Sequence, residues 1–189
     1  MSSREAVVLG CSAGGLSALQ RVLPGLDRRL AVPLVLCCHT GSSDVSLLVE
    51  LLARSCPLPV TEAQERAPAD PGVVHVAPSG YHLLVEADHR FSLSIDPRVT
   101  YARPSIDVLF ETAAEAWRER LVAVLMTGAN SDGANGVAAV RRAGGYAVVQ
   151  DPATAEADVM PQAALELAGA DACLPLDAIA ARINELCLP

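Results

Sequence analysis

A three-layer α/β fold, with a mostly parallel sheet between helices and an antiparallel β-hairpin insert, is predicted by three features of the sequence. Short runs rich in Val, Leu and Ala alternate with segments of helical period, the pattern of strands each followed by a crossover helix. Gly-rich turns follow the first strand and a later one. Between Ala63 and Arg103 alone, the alternation gives way to short runs separated by Pro-Ser-Gly and Ala-Asp-His turns, which reads as an antiparallel insert.

In chain order, Ala6 to Leu9 is the first strand, and a helix beginning near Gly14 carries Leu16, Leu19 and Leu23 on one face until Pro24 and Gly25 end it. Pro33 to Cys38 is a second buried strand, His39 to Ser43 a loop, and Asp44 to Arg54 a helix capped by Ser43 or Asp44. Leu58 to Glu62 is a third strand. The insert holds the runs Val73 to Ala77, His82 to Glu86 and Phe91 to Ile95. Helical period returns at Ser105 to Trp117, followed by a strand Leu121 to Met126, a turn Thr127 to Gly133 and a helix that Gly144 and Gly145 end. A strand Ala147 to Gln150, a helix around Pro161 to Ala168, a strand Ala172 to Leu174 and a helix opening at Asp177 complete the chain.

Size and charge narrow the possible functions. The 189 residues fit one domain, 1–189. With 14 basic against 22 acidic residues the net charge is -8, which repels phosphate backbones and anionic lipid, and 3% aromatic residues leave few platforms for stacking bases. Neither a nucleic-acid partner nor membrane insertion is expected. The apolar run after the N-terminus is too brief for a signal peptide and no stretch reaches the roughly 18 residues of a membrane span, so a cytoplasmic location is expected. The six cysteines fall at irregular spacings without a C-x-x-C pair, as expected of free thiols in a reducing compartment. No H-E-x-x-H or other ligand spacing predicts a metal.

In parallel α/β sheets reacting groups gather at the carboxyl ends of the strands. There Gly10-Cys11-Ser12-Ala13-Gly14 satisfies G-x-S-x-G, a spacing that projects a serine hydroxyl from a sharp strand-to-helix turn. Ser12 reads either as a nucleophile or as a helix cap. His39, after the second strand, is placed to be its base or to be a structural histidine, and Asp132, in the turn after a later strand, either orients that base or forms the turn. The other histidines, His75, His82 and His89, lie in the insert and read as structural. Cys11 is a competing nucleophile, but its side chain should point away from that of Ser12.

Several segments occur together and in order: Gly10 to Gly15, Cys38-His39, His75 to Leu83, Arg103-Pro104-Ser105-Ile106-Asp107 to Phe110, Thr127-Gly128 through Asp132-Gly133-Ala134, and Ala143-Gly144-Gly145 through Gln150-Asp151-Pro152. This set resembles the catalytic domain of bacterial chemotaxis protein-glutamate methylesterases, the CheB type, over about Ala6 to Leu186. The resemblance implies a Ser12, His39, Asp132 triad that hydrolyses γ-glutamyl methyl esters on chemoreceptors, often with deamidation of receptor glutamines and without a cofactor. It implies backbone oxyanion donors at Ala13 and Ala129. It also implies a methyl-accepting chemoreceptor or related signalling protein as partner. Ala13 stands where the family has threonine and Ala129-Asn130 where it has Met-Gly. The family's receiver domain is not among these residues, which implies a stand-alone domain with room for a separate regulatory protein. Arg103 and Asp107 are expected to form a substrate-binding rim. Two other readings stay open on the sequence: a catalytically silent binding module and a general small-molecule esterase.

Overall fold

The computed structural model describes residues 4–41 and 43–188. Seven parallel strands form one sheet in the order β3 (Val60–Glu62), β4 (Val74–Val76), β2 (Leu34–Cys38), β1 (Ala6–Cys11), β7 (Leu121–Leu125), β8 (Tyr146–Gln150) and β9 (Ala172–Leu174). A separate antiparallel pair, β5 (His82–Val85) and β6 (Phe91–Ser94), is the hairpin insert. The helices are α1 (Gly15–Val22), α2 (Ser46–Ala53), α3 (Ile106–Trp117), α4 (Ala134–Arg142), α5 (Val159–Leu167) and α6 (Ile179–Cys187).

Strands β1, β2 and β7 are buried along their whole length, which is why they read as unbroken apolar runs. Alternate side chains supply the two faces. Val7, Leu9, Leu34, Leu36 and Val124 pack beneath Leu19, Leu52 and Ile183 of α1, α2 and α6. Val8, Val35, Leu125 and Val149 pack against Phe110, Trp117, Val137 and Met160 of α3 to α5, and against Leu83 and Phe91 of the hairpin. The three layers are those the sequence predicts.

Three details differ. Val74–Val76 is not part of the antiparallel insert: it is a parallel strand between β3 and β2, and His75 lies on it. The buried face of α1 is Gly15, Ala18, Leu19 and Val22, so Leu16 is rotated out of the core and 39% exposed. In the loop after β2, Ser42 lies outside the described residues. The helix beyond it starts at Ser46 with Val45, not Ser43 or Asp44, in the cap position, and Asp44, one residue earlier, accepts from the Ser46 amide at 2.8 Å. The cysteines are free, four of them buried, with Cys173 exposed. Among the described residues no helix is long and apolar enough to cross a membrane.

Candidate active site

The strand order reverses at β1: the chain runs outward through β2 and returns to lay β7 on the other side. The crevice outside the carboxyl ends of these three strands is where such sheets bind ligands. Backbone bonds lock the three ends together. The Ser12 amide donates to Thr127 O at 2.9 Å across β1 and β7, and the His39 amide donates to Cys11 O at 3.0 Å across β1 and β2. Ser12, His39 and the turn carrying Asp132 thus share one edge.

Gly14, at φ 77, is the residue before α1, and the turn from Ser12 into the helix needs this left-handed step, which glycine makes without a Cβ clash. The Thr127 hydroxyl donates to Ala13 O at 2.8 Å and accepts from the Ala157 amide at 2.9 Å, bracing the turn from behind. Ser12 is half-buried. The amides of Ala13 and Ala129 donate to no protein acceptor among the described residues, and both residues are exposed.

The His39 Nε2 lies 2.8 Å from Asp132 Oδ2. A carboxylate only accepts, so Nε2 carries the proton and Nδ1 is the ring atom left with a lone pair. No hydrogen bond joins Ser12 to His39 among the described residues, yet both line each of the two recesses described below.

Asp132 is fully buried and has four donors. Besides His39, its oxygens accept from the Ile106 amide at 2.7 Å, the Asp107 amide at 3.0 Å and the Ser105 hydroxyl at 2.8 Å. Burial works to raise its pKa, but the bonds from His39, the two amides and Ser105 outweigh it and hold the carboxyl below its usual range. Asp132 is therefore the anion at the N-terminus of α3.

Asp107 repeats the arrangement in the opposite direction. Its Oδ1 accepts from the amides of Gly133 at 2.8 Å and Gly136 at 2.7 Å, in the first turn of α4. Each helix start thus binds the aspartate that belongs to the other. Gly133, at φ 100, makes the turn that links Asp132 to α4. This corrects the expectation for Asp107: it is 3% exposed and faces α4, because its position in the first turn of α3 aims the carboxylate at the neighbouring helix. Burial and the nearby Asp132 charge raise its pKa against the pull of its amide partners.

Sequence reasoning missed the residues that hold Asp132. Ser105 caps α3, and His82 lies behind it, with Nδ1 accepting from the Ser105 amide at 3.2 Å and Nε2 donating to Pro97 O at 3.0 Å. The Ser-x-x start of an apolar helical run was the available signal for the cap. His75 and His89 lie away from the site, on Asp70 O and against Trp117 respectively. Cys11 is fully buried; its hydrogen bond with Cys38 and its burial raise its pKa, so it is no nucleophile.

Two recesses meet at Ser12 and His39. The first, about 570 Å³, runs between α1 and α2 over Leu16, Leu47, Leu48 and Leu51, and Asp44 and Glu156 also line it. The second, about 320 Å³, lies under the loop after β6 and is lined by Arg98, Tyr101, Arg103 and Asn130. Arg103, expected from the sequence to be a rim residue, lines this second recess. No group of His, Cys, Asp and Glu among the described residues could hold a metal ion.

The CheB methylesterase family model matches residues 7–183. A Leptospira interrogans chain is 46% identical over 176 residues, 93% of this chain and 91% of its own length. The protein-glutamate methylesterase/protein-glutamine glutaminase of Symbiobacterium thermophilum is 38% identical over 182 residues, and the chain spans 50% of that relative's length. The crystal structure of the Thermotoga maritima CheB methylesterase catalytic domain superposes with a TM-score of 0.93 at 30% identity, covering 98% of this chain and 100% of that one. Motif order, family match and fold agree over nearly all of the sequence, and the chain belongs to the CheB methylesterase family, a family of hydrolases.

Proposed function

We propose that this chain is a protein-glutamate methylesterase that removes methyl groups from γ-glutamyl esters on a chemoreceptor or related signalling protein, acting in the cytoplasm through Ser12, His39 and Asp132. The observation that carries the reading is the buried Asp132 carboxylate on His39 Nε2 at 2.8 Å, at the strand edge that also bears Ser12.

Asp132 fixes the tautomer with the proton on Nε2, so Nδ1 is the base. Nδ1 takes the Ser12 proton as the oxygen attacks the ester carbonyl, and the imidazolium that forms is stabilised by the carboxylate behind it. The amides of Ala13 and Ala129 face the developing oxyanion, and one such donor is worth about 3 kcal/mol. Because these donors are backbone groups, the alanines at both positions keep them. His39 returns the proton to the departing methoxide, giving methanol and an acyl-Ser12, which a water activated by Nδ1 then hydrolyses. A glutamine side chain enters the same steps with ammonia as the leaving group, so deamidation belongs to the same site.

The test is methanol release from a receptor signalling fragment carrying radiolabelled methyl esters. Wild type should release labelled methanol, and Ser12→Ala should lose nearly all of it. Absence of release by the wild type, beside a family enzyme that demethylates the same fragment, would contradict the reading.

A further inference from the structure

We infer that the loop between β6 and α3 is a second substrate-contact arm. In this arm Arg98, Tyr101 and Arg103 bind carboxylates flanking the ester on the substrate helix and so fix how that helix lies across Ser12. The inference rests on the methylesterase reading and extends it to the chemistry around the ester.

The loop is built for display. Val99 and Ala102 exchange both backbone hydrogen bonds, at 3.1 and 2.9 Å, so Thr100 and Tyr101 are the two central residues of a tight hairpin turn. Both have positive φ, 48° and 65°. Such turns favour Asn-Gly, whereas a β-branched threonine and a tyrosine are disfavoured there. Folding stability therefore does not account for Tyr101, which stands at the tip, 92% exposed. An amphipathic ring held on a short turn beside a cleft is the kind of group that anchors a partner chain. Arg103 fastens the base of the loop, with Nη1 donating to Ile95 O at 2.7 Å and Asp96 O at 3.1 Å. Arg98 is exposed and reaches Tyr101 O at 3.3 Å.

Charge gives the partner. In a chain of net charge -8, two arginines and, among the described residues, no carboxylate line the recess under this loop. The recess on the other side of Ser12 is mainly apolar, and two carboxylates, Asp44 and Glu156, are among the residues that line it. A helix bearing its ester between an apolar stripe and an acidic one fits one way only. Its leucine-like side chains enter the α1–α2 groove, and its carboxylates turn away from Asp44 and Glu156 toward Arg98 and Arg103. The like-charge side excludes the reversed pose.

The test uses two helical peptides that carry the same γ-glutamyl methyl ester, one with glutamates beside it and one with glutamines. The wild type should show about fivefold higher kcat/KM on the glutamate peptide at low salt, a preference that fades as salt screens exposed charges. Arg98→Glu should invert the preference. Tyr101→Gly should raise Tm by about 2 °C by relieving the turn while raising KM for both peptides, a pairing that a merely structural tyrosine would not give. Equal use of the two peptides by the wild type, or an unchanged preference in Arg98→Glu, would overturn the inference. If neither peptide yields methanol, the methylesterase reading fails by itself, and fluorescence anisotropy of the labelled peptides decides the arm. Tighter binding of the glutamate peptide at low salt supports it, and equal binding overturns it.

Discussion

The two ends of the candidate triad are built differently. Asp132 is fully buried, tied by four donors and locked into a reciprocal exchange of aspartates between α3 and α4. Ser12 is half-buried at the meeting point of two open recesses, with Leu47 63% exposed nearby. The difference separates two tasks. The end that must hold a charge without reorganising is fixed in advance by the fold. The end that must receive a bulky partner is left uncovered.

Changes at the closed end should therefore cost both rate and stability, whereas changes in the recesses around Ser12, short of the nucleophile itself, should cost substrate capture without loss of stability. The largest expected effect is that of Asp132→Asn, which keeps the shape but no longer holds His39 in its tautomer: kcat should fall about 10³- to 10⁴-fold, measured as methanol release. Next is Asp107→Ala. It strands the buried amides of Gly133 and Gly136 and should lower stability by about 1–3 kcal/mol in urea unfolding, with kcat falling alongside because the Asp132 turn loosens. Asp107→Asn should recover most of both, since its amide oxygen can accept from the same two groups.

These particulars show how far the sequence could be read. The three-layer α/β class and the family resemblance are both borne out, because each rests on local signals repeated along the chain: apolar runs, glycine turns and ordered motifs. The errors come from contacts between distant segments. β4 has three residues, too few for a period, so only its pairing with β2 and β3 shows that it leaves the insert. Asp107 was legible as a first-turn carboxylate of α3, but not that it serves α4, 26 residues away. Leu16 sits at helical spacing with Leu19, yet one position of rotation puts it in the cleft rather than the core. Tyr101 gave no signal at all, because turn sequences with this geometry normally carry glycine or asparagine.

Acid sharpens the same contrast. Asp132 has its pKa lowered in the folded state, so its contribution to stability is present above the unfolded carboxylate value of about 3.9 and is lost as pH falls through the folded value. Thermal unfolding scanned downward from neutral pH should show wild type losing this contribution, while Asp132→Asn, with no group to titrate there, loses less. A flat difference between the two would contradict the sign. The smallest expected effect on stability is at the open end. Leu47→Ser should leave unfolding within about 0.5 kcal/mol of wild type, yet raise KM for a receptor helix more than for a small aryl ester.

Reaction with a fluorophosphonate, followed by mass-spectrometric mapping of the adduct, tests the triad most directly, because the reagent needs an activated serine and no particular substrate. One adduct is expected, on Ser12, absent in Ser12→Ala and slowed at least a hundredfold in His39→Ala. An adduct on another residue, or an unreactive wild type, would show that Ser12 is not the nucleophile that His39 and Asp132 serve.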